Sequence, residues 1–271
     1  MIKKGPLIVG IGELLWELHP DGKKLGGLPA NFVYHSKQLG AEAYLISAVG
    51  NDGFGKELLK KLTNLGIDSR YVQVSGSSRT GTLSHTLDAN GNTSHLIDEP
   101  AAWDNLTWNN QLKSLASRAD IICFGILAQR SKRIRESIHK FLNSTKTGCL
   151  KILDMNLRYN SLSDKYIIRS LEIANALRIH KNDLKKLADI LSIKSNEEII
   201  LAGLQKRFNL NLIALSKNKG ENVLVSPTGK SKLITPNVEI YSHNGFGDGF
   251  TAFLALDYYK KSKLNAQRRW L

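Results

Sequence analysis

Tyr44-Leu45-Ile46-Ser47-Ala48-Val49 is followed by Gly50-Asn51-Asp52-Gly53, then by Phe54 through Leu65, and then by Gly66. The first six residues read as a short buried strand, and the run from Phe54 reads as a helix. Leu58, Leu59, Leu62 and Leu65 recur every three or four residues and form its apolar stripe. Gly66 stops it, because glycine adopts the left-handed conformation in which helices commonly end. The same alternation continues outward in both directions. Leu7–Ile11, Ala119–Ile126, Leu150–Met155, Ala176–Ile179, Leu210–Leu215 and Asn222–Val225 read as further strands. Ala30–Leu39, Asn182–Leu191, Glu197–Phe208 and Asp248–Lys260 read as further helices. Short buried strands alternating with helices predict an α/β protein with a mostly parallel central sheet, helices on both faces, and ligands gathered at the carboxyl ends of the strands.

Two stretches break this rhythm. Glu17 to Gly27 carries the turn His19-Pro20-Asp21-Gly22, and Tyr71 to Ile97 holds two alternating segments around Ala89-Asn90-Gly91-Asn92, a hairpin signal. Antiparallel pieces set into a parallel domain predict a small β lid, with elements around residues 17–27 and 71–100. Without a linker, repeat or low-complexity tract, residues 1–271 read as one domain.

The composition is that of a globular protein, with 42% hydrophobic and 23% charged residues. No run of roughly 20 apolar residues is present to span a membrane. Cys123 and Cys149 lack metal-ligand spacing, which points to a reducing cytoplasm and away from zinc. The formal charge of +14 invites a nucleic-acid reading. Its distribution argues otherwise. Lys56, Lys60 and Lys61, then Lys132, Arg133 and Arg135, then Lys181, Lys185 and Lys186 lie at helical spacings around separate apolar stripes, with no interleaved aromatic platform for bases. A basic surface still suits anionic substrates such as nucleotides.

The segment richest in chemistry is His243-Asn244-Gly245-Phe246-Gly247-Asp248-Gly249-Phe250. Glycines on alternate positions let backbone N–H groups turn toward one point, and the helix that follows adds its positive end, making an anion cradle. Asp248 stands in that cradle. A carboxylate beside a phosphate site fits proton abstraction from an acceptor hydroxyl, and the same Asp fits a helix cap.

Taken with this segment, Gly10-Ile11-Gly12-Glu13-Leu14-Leu15-Trp16-Glu17, Gly26-Gly27-Leu28-Pro29-Ala30-Asn31-Phe32 and Ala48-Val49-Gly50-Asn51-Asp52-Gly53-Phe54-Gly55 resemble the ribokinase-like (phosphofructokinase-B type) sugar kinases. Ala102-Trp103-Asp104 and Asp154-Met155-Asn156-Leu157-Arg158 are most similar to the bacterial fructokinases within that family. The resemblance runs in order over essentially the whole chain. It implies a three-layer αβα sandwich with a β lid and ATP-dependent phosphorylation of a sugar hydroxyl, fructose first, with ATP and Mg²⁺ as cofactors. It assigns Asp248 as general base and the backbone of Gly245, Phe246 and Gly247 as anion hole. It assigns Glu17, Gly27, Asn31 and Arg158 to the sugar, His180, Ser216 and Gly220 to the nucleotide, and Asp183 to the metal through water. The implied partners are a small sugar and ATP, with neither nucleic acid nor membrane, and the lid hairpin leaves a homodimer open.

The chain departs from the family pattern at several of these positions. Glu17 stands where relatives have Asp, one methylene longer. His180-Lys181-Asn182-Asp183 replaces an Asn-x-x-Glu step, and Ser216-Lys217-Asn218-Lys219-Gly220 is one residue shorter than the Thr-x-Gly-x-x-Gly nucleotide turn. Ser242 and His243 replace an Asp-Thr pair, so potassium dependence is not expected, and Phe246 replaces Ala. The family's further C-terminal helices, which wall the adenine pocket, are expected to be missing, since the sequence closes at Leu271. Two other readings stay open: a kinase of the same fold for another sugar, sugar acid, sugar phosphate or nucleoside, and a binding protein with little catalysis.

Overall fold

The computed structural model describes residues 5–87, 93–157, 162–217, 220–234 and 246–268. The Ala89-Asn90-Gly91-Asn92 turn, Arg158, Asn218, Ser242, His243 and Gly245 lie outside the described residues. The chain runs β1 (Leu7–Ile11), β2 (Leu15–His19), β3 (Gly22–Gly26), α1 (Leu28–Gln38), β4 (Glu42–Gly50), α2 (Gly53–Asn64), β5 (Val72–Ser75), β6 (Gly81–Leu87) and β7 (Thr93–Ile97). It continues with α3 (Asn110–Ala116), β8 (Ile121–Gly125), α4 (Lys132–Asn143), β9 (Leu150–Met155), α5 (Asp164–Ile173), β10 (Ala176–His180) and α6 (Lys181–Ile190). Then come α7 (Glu197–Phe208), β11 (Leu212–Ser216), β12 (Glu221–Ser226), β13 (Gly229–Ile234) and α8 (Phe246–Arg268).

Nine strands form the central sheet in the order β13-β12-β11-β10-β9-β8-β1-β4-β5. Every pairing from β11 across to β5 is parallel, and only β12 and β13 run antiparallel to their neighbours. Alternate residues of each strand serve opposite faces. Leu7, Val9 and Ile11 of β1 enter one core together with residues of α3 to α7, whereas Ile8 enters a second core with residues of α1, α2 and α8. The result is the expected three-layer sandwich. Strand ends fall within about two residues of their sequence-based positions. Three helices, α3, α4 and α5, are additional to those anticipated. Helix α8 begins at Phe246, ahead of the expected Asp248, and runs on to Arg268 rather than ending at Lys260.

A second, four-stranded sheet has the order β3-β2-β6-β7. It gathers both irregular stretches, with β2 pairing antiparallel to β3 and parallel to β6, and β6 antiparallel to β7. The expected lid stretch from residue 71 is corrected at its start. β5 belongs to the central sheet, where Val72–Ser75 pairs parallel with Ser47–Gly50 on the edge of β4 opposite β1.

Asp52 ties the two sheets together. Its carboxylate caps α2 by accepting from the Gly55 N–H at 2.7 Å, and it accepts from the Thr80 N–H at 2.8 Å and the Thr80 hydroxyl at 2.7 Å. Thr80 in turn accepts from the Gly50 N–H at 2.9 Å, just before β6 begins.

At the root of β6 a Cβ on Gly81 would lie 1.8 Å from the Trp103 ring, and Trp103 is fully buried. Gly81 is held in register with Leu15, so neither partner has room to yield. Gly81→Ala is therefore expected to cost about 1–3 kcal/mol through overpacking. A thermal melt should show a midpoint lower by several degrees, and an unchanged midpoint would refute the contact.

Candidate active site

From β1 the chain fills β4 and β5 on one side, then returns to β8 and continues outward on the other. Such a reversal opens a crevice at the carboxyl ends of the strands between which it occurs. Glu13 follows β1 at this point. Gly27, the N-cap of α1, has φ +107°, and a Cβ there would lie 2.4 Å from the Glu13 carbonyl oxygen. Only glycine passes that closely in that conformation. Glu13 Oε1 accepts from the Leu28 N–H at 3.2 Å, which fixes the turn to the end of β1. One helical turn later the Asn31 N–H donates to the Gly27 carbonyl, and the Asn31 side-chain amide donates to Asp248 Oδ2 at 2.9 Å.

Gly247 and Asp248 lie in the first turn of α8. The anticipated loop cradle is thus corrected to a helix N-terminus, whose leading N–H groups have no intrahelical acceptor. The glycines also serve packing. A Cβ on Gly247 would fall 2.7 Å from Arg178 Nη2, and one on Gly249 would fall 3.3 Å from the His35 ring on α1. Thr251 donates to Asp154 Oδ2 at 2.8 Å and to the Gly247 carbonyl at 2.9 Å. Arg178 Nη1 donates to Asp154 Oδ1 at 3.2 Å.

Glu13 and Asp154 are buried, Asp248 and Arg178 are half-buried, and the four groups lie within one another's electric field. Burial, followed by the nearby Asp154 carboxylate, pushes Asp248 well above the ordinary carboxylate range; the Asn31 hydrogen bond and the Arg178 charge oppose this. Burial likewise raises Glu13 to about 7, against the lowering effect of backbone N–H groups. Glu13 Oε2 is buried and has no hydrogen-bond partner among the described residues.

The structure brings Gly27, Asn31, Gly247 and Asp248 to one point, as the sequence analysis expects. Glu17 is buried in β2, with Oε2 3.5 Å from His19 Nε2, and packs over the site of the absent Gly26 side chain. His180 and Ser216 are paired in register at the carboxyl ends of β10 and β11, further along the same sheet edge. Ser216 Oγ is buried and without a partner among the described residues, and Gly220 has φ +75°. Asp183 is buried in the first turn of α6, where His180 Nδ1 accepts from the Asn182 N–H at 3.3 Å as the helix cap. Arg158 and Gly245 lie outside the described residues, and of Phe246 only the backbone is described.

Sequence reasoning assigned no role to Glu13, Asp154, Arg178 or Thr251. A signal existed for two of them: Asp154 and Arg178 each stand between apolar neighbours inside a central strand.

The three-layer α/β sandwich, with Asp248 at a helix N-terminus beside the Gly27 turn and Asn31, shares the ribokinase-like fold. Residues 12–266 match the pfkB family of carbohydrate kinases, and the chain belongs to that family. It is 28% identical over 257 residues to the uncharacterized sugar kinase PH1459 of Pyrococcus horikoshii, covering 93% of this chain and 77% of that one; the two structures superpose with a TM-score of 0.77. A fructokinase of Klebsiella pneumoniae is 24% identical over 257 residues, covering 90% of this chain and 81% of its own. The structure of a fructokinase from Xylella fastidiosa with bound ATP shares the fold, with a TM-score of 0.81 at 18% identity over 93% of this chain and 81% of that one. The protein is a carbohydrate kinase.

The raised Glu13 makes a signed prediction. Above pH 4.5 the unfolded chain ionises Glu13 while the folded chain keeps it protonated, so stability falls as pH rises to about 7. Glu13→Gln keeps an acceptor for Leu28 and removes the titration. Urea melts at pH 5 and pH 8 should show the variant gaining on the wild type at pH 8, by on the order of 3 kcal/mol at most. A difference between the two proteins that does not change with pH would contradict this.

Proposed function

We propose that the protein transfers the γ-phosphoryl group of ATP to a sugar hydroxyl, with fructose the first candidate, and that Asp248 is the general base. The observation that carries this reading is the placement of a half-buried Asp248 at the α8 N-terminus, hydrogen-bonded to Asn31 beside the Gly27 turn. A polyol bound against Gly27, Asn31 and Glu17 would bring one hydroxyl within reach of Asp248. The hydroxyl proton passes to Asp248 as the sugar oxygen bonds to phosphorus, and the bond from phosphorus to the ADP oxygen breaks. The leading N–H groups of α8, Phe246 through Asp248, are proposed to face the charge that builds on the transferred phosphoryl oxygens, with the Gly245 N–H completing the anion hole. Arg158 is proposed to contact the same group.

For the nucleotide, the partnerless Ser216 hydroxyl at the end of β11, next to the left-handed Gly220, supports binding at this part of the sheet edge, with His180 alongside. The donor set also suits magnesium. Among the described residues no group of three or more His, Cys, Asp or Glu side chains is placed to hold a metal, and magnesium typically takes one carboxylate, waters and substrate phosphates. Asp183 is the residue proposed to hold it, through water. When bound, Mg²⁺ neutralises charge on the phosphate oxygens. The β3-β2-β6-β7 sheet is proposed to act as the lid and as the surface of any homodimer. Among the described residues no helix is long and apolar enough to cross a membrane, and the two buried, unbridged cysteines support a cytoplasmic setting.

The Glu17–His19 pair supports a second reading, in which the same chemistry serves a different sugar or a sugar acid. Initial rates of ATP consumption across fructose, ribose, 2-keto sugar acids and nucleosides distinguish the two, and Glu17→Asp should shift the preference among them. Asp248→Asn should lower kcat by about two decades or more while sugar binding by calorimetry is retained. A fully active variant would sink the assignment of the base.

A further inference from the structure

Arg178 sits inside the central sheet, in β10, in direct register with Asp154 of β9 and Ala214 of β11. Side chains in register on neighbouring strands share a face. Here the shared face is the one covered by α8, since Ala214 packs against Phe250 and Leu254 of that helix. Placing a guanidinium at this position removes a strongly polar group from water, which is tolerated only where charges compensate it. The compensation is anionic and exceeds one charge.

Asp154 is satisfied on both oxygens, by Arg178 on Oδ1 and by Thr251 on Oδ2. Asp248 has the Asn31 amide on Oδ2. The titratable groups facing Asp248 are Glu13 beyond β1, Cys123 on β8, Asp154 on β9 and Arg178 on β10, with His35 of α1 against the next residue, Gly249. Arg178 is the cation among them. Its guanidinium also lies under the first turn of α8, where the missing Gly247 side chain leaves space for Nη2, and its Nε is buried without a partner among the described residues.

Resting on the reading of Asp248 as the base, we propose that Arg178 is a positioning residue that keeps Asp248 in its carboxylate form and seats the first turn of α8. A half-buried carboxylate that a second carboxylate also raises keeps its charge only where a cation compensates it. Asp154 holds two hydrogen bonds, whereas Asp248 depends on Asn31 and on the Arg178 charge. A protonated Asp248 accepts no proton from the sugar. Arg178 therefore acts on the chemistry through Asp248 and need not touch either substrate.

The test is the pH dependence of kcat for the wild type, Arg178→Met, Arg178→Gln and Arg178→Lys. In the two neutral variants the acid limb should move up by about one pH unit or more, with kcat recovering toward the wild-type value at high pH. KM for the sugar should change by less than about threefold, and Arg178→Lys should restore much of the limb. A limb that stays in place, or a loss of kcat by the same factor at every pH, would overturn the proposal and leave Arg178 with a packing role alone. A second readout needs no turnover. Removing the Asp248 charge should relieve the imbalance, so Arg178→Met should lower the melting temperature less in an Asp248→Asn background than in the wild type. Equal losses in the two backgrounds would also count against the proposal. Were Asp248→Asn itself fully active, the base assignment would fail, while the stability cycle would still report whether Arg178 compensates Asp248.

Discussion

The carboxyl ends of the central strands gather Glu13, Asp154 and Asp248 around the guanidinium of Arg178. This unequal balance of charge is the constraint around which the site is built. Burial raises Glu13 and Asp248 above the ordinary carboxylate range, and each of the three acids is held by a different means. Asp154 takes hydrogen bonds on both oxygens, Glu13 takes a backbone N–H and sits near neutrality, and Asp248 depends on Asn31 and the field of Arg178. The environment separates the acids into roles, as catalytic carboxylates in low-dielectric sites require.

The packing of α8 on the rest of the molecule follows from the same need. Asn31 and Asp248 are 217 residues apart in sequence and meet across the α1–α8 contact. That meeting requires α8 to approach both the sheet and α1 closely along its first turn. Gly247 provides the clearance over Arg178 and Gly249 the clearance beside His35. A helix usually avoids two glycines in its first four residues because of their entropy cost. Here the absent side chains are what bring the carboxylate to its partners.

Much of the sandwich was legible in the sequence because its signals are local. Leu58 and Leu62 repeat at helical spacing and are fully buried in α2, and Gly66 adopts φ +70° just beyond the helix. The glycine turn before α1 and the aspartate at the head of α8 could be picked out for the same reason. What escaped was non-local. β5 read as lid material because its residues suit either sheet, and only its parallel pairing with the outer edge of β4 assigns it to the central one. The alternating glycines read as a flexible cradle because sequence does not show that a guanidinium lies over one and an imidazole beside the other.

Sequence by itself determined the alternation of strand and helix, the carbohydrate-kinase pattern and the choice of Gly27, Asn31 and Asp248 as candidate site residues, since each is encoded within one or two turns of chain. Tertiary structure alone decided that Glu13, Asp154 and Arg178 belong with them. Those three come from the end of β1, from β9 and from β10, and each lies in the electric field of the others. A field of that kind exists only when the strands lie side by side and water has been excluded from between them.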